Sequence, residues 1–167
     1  MNTVRKIAIA AGLAACAALG ASGQEKAGVT AAATSKFGPL PGLPACMTLS
    51  VQRGDPTKGP AVILIKTTPG CKVPWHWHTA SEALMMVSGK AKIEMKDATP
   101  ASSPVAPGDY VFLPGKHPHQ FTCISGCTFF DVTDGAFDIH YIDKDGKEIP
   151  PEQALPQKPA PKPATKK

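Results

Sequence analysis

The sequence lacks the patterns that identify several common classes of enzyme. Residues 24–150 contain no helical periodicity longer than two turns and no internal repeat, so neither a helical bundle nor a solenoid is expected. There is no nucleophile elbow, no phosphate-binding loop and no paired acid and base. A CxxC motif is missing as well. These absences argue against a hydrolase, a kinase and a thioredoxin-type oxidoreductase.

Net charge is also missing from the central part of the chain. The formal charge of the 167 residues is +5. Arg5 and Lys6 supply two of these positive charges, and the Pro- and Lys-rich end after residue 150 supplies the rest, so residues 24–150 are neutral. A neutral body offers no electrostatic footprint for nucleic acid, and no such partner is expected.

What the sequence does contain is a cluster of potential metal ligands within residues 70–89. This segment has the spacing Gly-x5-His-x-His-x3-Glu-x6-Gly. Alternate side chains of a strand share a face, so His76 and His78 should point the same way. Glu82 follows a short break, begins the returning strand and can face the same centre. Two imidazole nitrogens and one carboxylate oxygen form a set of ligands that leaves coordination positions open.

A second segment, residues 108–119, supplies a fourth candidate ligand. Five residues separate Gly108 from Pro114, and four residues separate Pro114 from His119. Together the two segments resemble the paired motifs of the cupin superfamily, whose second motif reads roughly Gly-x5-Pro-x-Gly-x2-His-x3-Asn. The resemblance implies that one divalent metal ion is held by His76, His78, Glu82 and His119.

The second motif departs from the family pattern at two positions. Lys116 stands where the family usually has glycine, and Cys123 stands where asparagine is usual. The departures leave the metal-binding interpretation intact but make the shape of the nearby loop uncertain. His117 competes with His119 as the fourth ligand, and the motif favours His119 because a strand, QFTCI, starts immediately after it.

Short apolar runs separated by Gly and Pro extend from about Pro39 to the end of the neutral body. Such runs are typical of an antiparallel all-β sandwich or barrel. The resemblance to cupins covers about residues 45–142 and implies a single antiparallel jelly-roll β-barrel with the metal inside, near one end. By strand parity, Glu82, Leu84 and Met86 should share an inward face, as should His119, Phe121 and Cys123.

The chain divides into four predicted segments. Residues 1–23 have the basic start, apolar stretch and small-residue cleavage site of a signal peptide, so a periplasmic or extracellular protein is expected. A competing interpretation is a lipoprotein signal that anchors the chain to a membrane through Cys16. We assign residues 24–38 to a flexible linker, 39–149 to the barrel and 150–167 to a disordered tail.

Four cysteines remain in the barrel and could pair in three ways in an exported protein. The favoured pairing joins Cys123 to Cys127 across a turn and Cys46 to Cys71. The alternative is a free Cys123 close to the metal ligands.

Trp75 and Trp77 should lie outside the barrel, on the face opposite to the histidines. Large exposed aromatic side chains suggest a contact surface, so a homodimer is expected. The alternative is that the N-terminal segment packs over the indoles.

The leading functional hypothesis is a metal-dependent enzyme similar to the small dioxygenases of the superfamily. Iron or manganese is the expected metal, although nickel, cobalt, copper and zinc also suit these ligands. Glu82 is the one candidate catalytic base, and the partner is a small organic molecule. An isomerase or decarboxylase is an alternative within the superfamily. The alternative outside the enzymes is a non-catalytic sensor or storage module that binds a metal or a small ligand.

Overall fold

The computed structural model describes residues 27–155. The predicted signal peptide with Cys16 lies outside these residues, as do the start of the predicted linker and the tail after residue 155. Export and lipidation therefore stay predictions. Within the described range, no helix is long and apolar enough to cross a membrane.

Ten β-strands account for nearly all regular structure in the described range. Eight of them coincide with apolar runs of the sequence, which are rich in the β-branched and aromatic residues that fit a half-buried pleated surface. The other two are the strand of the histidine motif and the short strand SSPV. Their bounds are β1 Met47–Gly54, β2 Ala61–Thr67, β3 Lys72–Trp77, β4 Glu82–Ser88, β5 Ala91–Met95, β6 Ser102–Val105, β7 Tyr110–Leu113, β8 His119–Cys123, β9 Cys127–Thr133 and β10 His140–Tyr141.

The strands form two five-stranded sheets in which every neighbouring pair is antiparallel. The first sheet has the order β1-β2-β9-β4-β7, and the second has the order β10-β3-β8-β5-β6. The hydrophobic core lies between them and draws residues from both. Phe121 of the second sheet, for example, packs on Phe129 of the first with ring centroids 5.0 Å apart. This arrangement confirms the predicted all-β jelly-roll fold.

Strand parity predicts the inward faces correctly. Glu82, Leu84 and Met86 of β4 are all buried, while Met85 between them is exposed. The predicted inward set on β8 is buried as well, since His119, Phe121 and Cys123 are each at most 5% exposed. The candidate metal ligands Glu82 and His119 and the apolar core therefore share one interior.

Two short elements lie in segments that were assigned to the linker and the tail. A 3₁₀ turn spans Ala32–Thr34, and Gly38 then pairs with Leu49 of β1. A helix, α1, spans Pro151–Ala154, and Leu155 packs against the core. The sequence pattern missed both because each is a single turn, too short to produce a periodic pattern. The rest of the predicted tail lies outside the described residues.

The two tryptophans lie on the outer side of β3, where both are partly buried. The imidazole of His140 stacks on Trp77, with ring centroids 3.9 Å apart and ring planes at 3°. Lys96 Nζ lies 5.8 Å from the ring centroid of Trp75. Strand β10 thus covers part of this surface. The homodimer stays a prediction.

Both favoured cysteine pairs are bonded. Cys46 and Cys71 form a disulfide with an S–S distance of 2.06 Å, and Cys123 is joined to Cys127. A free thiol at Cys123 is therefore excluded in this structure. The first disulfide joins the chain just before β1 to the chain just before β3, which carries the histidines.

The two disulfides should differ in their contribution to stability, because they close loops of very different length. Cys46 and Cys71 are 25 residues apart, whereas Cys123 and Cys127 are 4 apart. Loop-closure entropy then predicts a loss of roughly 3–4 kcal/mol in the free energy of unfolding for C46S/C71S, and about 2 kcal/mol for C123S/C127S. Urea denaturation of the two double variants measures both losses, and a larger loss for C123S/C127S would contradict this account.

Candidate metal centre

Three histidines converge at one end of the barrel interior. His76 lies on β3 and is the direct cross-strand neighbour of His119 on β8, and His78 follows immediately after β3. One ring nitrogen from each of the three lies within 4.8 Å of those of the other two. All three residues are buried. The side chains are therefore positioned to hold a metal ion, as the sequence predicted.

Backbone carbonyl groups fix the orientation of each imidazole. Nδ1 of His76 donates a hydrogen bond to Pro74 O at 2.6 Å, and Nδ1 of His119 donates to His117 O at 2.9 Å. Nδ1 of His78 donates to the carbonyl oxygen of Asp138. A carbonyl oxygen can only accept, so each Nδ1 carries the proton and each Nε2 keeps its lone pair. Such contacts orient imidazole ligands in metal sites.

The other sheet contributes a carboxyl group to the same point. Glu82 is the first residue of β4, and its Oε2 lies 3.1 Å from His78 Nε2 and 3.7 Å from His119 Nε2. Its side chain is buried. Glu82 thus approaches two of the three histidines from the other sheet, while the donor atoms that all lie within 4.8 Å of one another are those of the three histidines. Three imidazole nitrogens and one carboxylate oxygen form a donor set that suits a divalent transition metal.

Burial keeps the three imidazoles neutral. Desolvation lowers the pKa of His78 and of His119 to about 4. Desolvation also lowers the pKa of His76 well below its ordinary value, and the neighbouring His119 and His78 add to the shift. A metal ligand must be deprotonated at its donor atom. At neutral pH these side chains are in the state that metal binding needs.

A second buried carboxyl group, Asp131, touches the site. It lies on β9 opposite Leu84 and Ile63, on the inward face, and is 2% exposed. Burial raises the pKa of Asp131 to about 7, and burial together with the charge and hydrogen bond of Asp131 raises the pKa of Glu82. Two buried acids in contact favour retention of a proton between them. A bound cation would offset the cost of ionising both.

Sequence reasoning missed Asp131, although a signal was present. In the apolar run CTFFDVT, counting by twos from Cys127 through Phe129 places Asp131 on the inward face. An acid at an inward position of an otherwise apolar strand needs a compensating partner. His117, the competitor for the fourth ligand position, is not part of the histidine cluster found among residues 27–155.

The ligands face a small cavity with mostly apolar walls. It has a volume of about 50 Å³. Its walls include the four candidate ligands, Asp131 and apolar side chains from both sheets and the flanking loops, among them Leu43, Met47, Ile65, Phe129 and Phe137. Apolar walls exclude water, which strengthens the electrostatic interactions of any ion bound there.

Lys116, at the position where the family motif usually has glycine, adopts a backbone conformation that favours glycine. Its φ is 63°, in the left-handed region that favours glycine. Its N–H donates to the carbonyl of His78 at 2.7 Å. A Cβ atom on the preceding Gly115 would lie 2.5 Å from Thr79 O. The loop that was uncertain from sequence is thus held closely against the segment that carries His78.

Comparison with known proteins identifies the fold. The family model described as "Cupin domain" matches residues 63–133, a range that contains all four candidate ligands and Asp131. None of the curated proteins compared with the chain matches it.

Several solved structures are similar to this chain. The polyketide cyclase RemF from Streptomyces resistomycificus has a TM-score of 0.60 at 17% identity, with 78% of this chain and 100% of that chain covered. An RmlC-like cupin from Shewanella frigidimarina has a TM-score of 0.55 at 16% identity, covering 68% and 95%. The DMSP lyase DddQ from Ruegeria pomeroyi has a TM-score of 0.53 at 21% identity, covering 62% and 57%. Identities this low show a common fold and nothing finer.

Replacing Lys116 by glycine should stabilise the protein, since glycine adopts a positive φ without steric cost. We expect the free energy of unfolding of K116G to rise by about 1 kcal/mol. K116A is the matched control, because it removes the lysine side chain but keeps the Cβ atom, and it should bring no gain. Urea denaturation measures both variants. Equal stability of K116G and K116A would contradict the argument.

The buried acid should make the stability of the metal-free protein depend on pH. Unfolded Asp131 ionises near 3.8, whereas the folded protein holds its proton up to about 7. Between these values the native state binds more protons, so its stability falls as pH rises. D131N does not titrate at this position, so its stability relative to that of the wild type should increase as the pH rises from 5 to 8. Urea denaturation with a chelator present measures this. A stability difference that does not change with pH would contradict the assignment.

Proposed function

We propose that this chain, whose residues 63–133 match the cupin-domain model, is a cupin and a divalent-metal-dependent, dioxygenase-like oxidoreductase that acts on a small organic substrate. One observation carries the proposal: three neutral imidazoles with free Nε2 lone pairs meet a carboxyl group inside a mostly apolar cavity. The part of the chain that the structure describes offers no nucleophile activated by a neighbouring base. Any chemistry in this cavity therefore depends on the metal and on the two carboxyl groups.

The proposed ligands are the three histidines and Glu82. The backbone carbonyls of Pro74, Asp138 and His117 would keep the imidazole planes fixed whether or not the ion is present. Iron or manganese is the proposed metal, and nickel, cobalt, copper and zinc share the same preference for such ligands. When bound, the metal would supply Lewis acidity and one-electron chemistry.

The residues around the ligands have distinct roles in this proposal. The apolar walls would exclude water from the bound substrate and orient its carbon skeleton. Glu82 and Asp131 would hold a proton between Oε and Oδ atoms and pass it to or from a substrate oxygen. Glu82 is therefore both the proposed fourth ligand and the proposed base, with Asp131 as its proton partner.

A second candidate is a non-redox cupin, such as an isomerase or decarboxylase. The contact between two buried carboxyl groups favours it, because proton transfer alone can drive such reactions. Two of the structurally similar proteins are named as a cyclase and a lyase. At 17% and 21% identity, these names bear on the range of chemistry that the fold accommodates and not on this chain's reaction.

Metal analysis tests the basis of both candidates. Elemental analysis of the protein isolated from its own cellular compartment should find about one iron or manganese ion per chain. H76A and H119A should lose it. H117A is the matched control, because it removes a nearby imidazole but keeps the backbone carbonyl that orients His119, and it should retain the metal. A wild-type protein that holds no metal, even after reconstitution with Fe²⁺ or Mn²⁺, would contradict the proposal.

Oxygen consumption separates the redox candidate from the others. The metal-loaded protein would be assayed in an oxygen electrode with catechol and with acetylacetone as aromatic and enolic probes. Uptake of dioxygen that H76A abolishes and H117A retains would support the oxidoreductase. Conversion of a probe without oxygen uptake would favour the isomerase or decarboxylase. A rise in melting temperature with a probe but no conversion would favour a non-catalytic binding module.

A further inference from the structure

We propose that the substrate carries an apolar tail and a hydrogen-bond donor. The tail occupies a second cavity beside the metal centre, and Asp131 accepts a hydrogen bond from the donor where the two cavities meet. This inference deepens the proposed function and rests on it for the metal-binding end of the substrate. It assigns a substrate class, namely an elongated, mostly apolar molecule with a chelating end and an O–H or N–H group next to that end.

The second cavity lies between the segment before β1, which contributes Leu40 and Leu43, and the first sheet. Its volume is about 300 Å³. Leu49, Val51 and Ile63 contribute walls from β1 and β2, and Leu40 and Pro56 contribute walls from the flanking loops. Val51 is 42% exposed and Leu40 is 36% exposed, so the cavity reaches the surface at their side. A predominantly apolar recess of this size suits the tail of a small ligand.

The two cavities share four wall residues: Leu43, Ile65, Asp131 and Phe137. Ile65 and Asp131 are fixed in the strands of the first sheet. Leu43 and Phe137 lie outside the strands, and the Phe137 ring centroid lies 5.1 Å from that of His78. Only side chains therefore separate the metal centre from the second cavity. The two that belong to loops can turn aside without breaking a sheet hydrogen bond.

Asp131 supplies the polar feature at this junction. Its Oδ1 is buried and has no hydrogen-bond donor among residues 27–155. A buried acceptor without a donor is costly, and native proteins rarely leave one unless a ligand or water satisfies it. Asp131 lines both cavities. A donor on a ligand that passes from one cavity into the other would meet this oxygen.

The arrangement defines three requirements along the length of the ligand. One end needs two oxygen atoms to occupy the open metal positions. The next atoms need an O–H or N–H that can reach Asp131. The far end needs to be apolar, since the walls beyond Asp131 offer mainly aliphatic side chains with only Asp55 and Thr57 at the edge. Linear alkyl hydroxamates meet all three requirements and serve as probes.

Calorimetric titration of the full chain loaded with Zn²⁺ tests the proposal without relying on turnover. Acetohydroxamate, hexanohydroxamate and N-methyl-hexanohydroxamate would be compared. Each methylene that enters the apolar cavity should tighten binding roughly threefold, so hexanohydroxamate, with four more methylenes, should bind about 80-fold more tightly than acetohydroxamate. N-methylation removes the N–H donor and should weaken binding roughly 10-fold.

Variants assign the two effects to the two features. V51W fills the outer end of the second cavity and should abolish the gain from the longer tail, while the effect of N-methylation remains. V87W is the matched control, because Val87 is 50% exposed on β4 and lines neither cavity, and it should change neither effect. D131L, or D131A if the larger residue prevents folding, should abolish the effect of N-methylation and keep the gain from the tail.

The possible failures are distinguishable. If the protein takes up none of Zn²⁺, Fe²⁺ and Mn²⁺, the proposed function fails and this inference fails with it. If the Zn²⁺-loaded protein does not bind acetohydroxamate, the chelating end of the substrate is wrong and this inference fails alone. If acetohydroxamate binds but a longer tail brings no gain, or if V51W leaves that gain unchanged, the tail site is wrong while the metal centre stands. Equal weakening by N-methylation in the wild type and in D131L would overturn the role of Asp131.

Discussion

The barrel interior is organised around a cluster of ionisable side chains that is buried where the two sheets approach each other. His76 and His119 belong to one sheet, and Glu82 and Asp131 belong to the other. Burying these groups is unfavourable unless each has a partner. Backbone carbonyl groups accept hydrogen bonds from the Nδ1 atoms of the imidazoles. The carboxyl groups of Glu82 and Asp131 share a proton or face a cation. The relative position of the sheets is therefore set by polar contacts as well as by core packing.

Much of this arrangement follows from local sequence. The period of two along VPWHWH determines that both imidazoles point inward, and the same period along β4 and β8 determines which residues line the cavity. The spacing of the motif places Glu82 at the start of the next strand, within reach of His78. Turn glycines mark the ends of the segment that contains β3 and β4, and Gly89 has a φ of +87°. These two strands lie in different sheets, so the segment crosses from one sheet to the other. These features require no knowledge of distant contacts, which is why the candidate ligands and the fold class could be predicted together.

The features that the sequence did not predict depend on contacts between distant segments. Asp131 belongs to the site only because β9 pairs with β4 in a register that places it opposite Leu84, and no local pattern determines that register. The positive φ of Lys116 results from a loop held against Thr79 and His78. The helix at Pro151–Ala154 is one turn long, too short to produce a periodic pattern. In each case tertiary structure decides a conformation that local propensity leaves open.

The second cavity is built largely from a different stretch of chain than the metal centre. All four candidate ligands and Asp131 fall within residues 63–133, whereas Leu40, Leu43, Leu49, Val51 and Phe137 fall outside that range. Under the proposed function, reactivity and selectivity would be encoded in separate segments. Mutations that reshape residues 40–57 could alter which molecules are accepted while the coordinating groups keep their geometry. In evolution or in the laboratory, such a division allows one barrel to acquire new substrates by exchanging the segments that flank it.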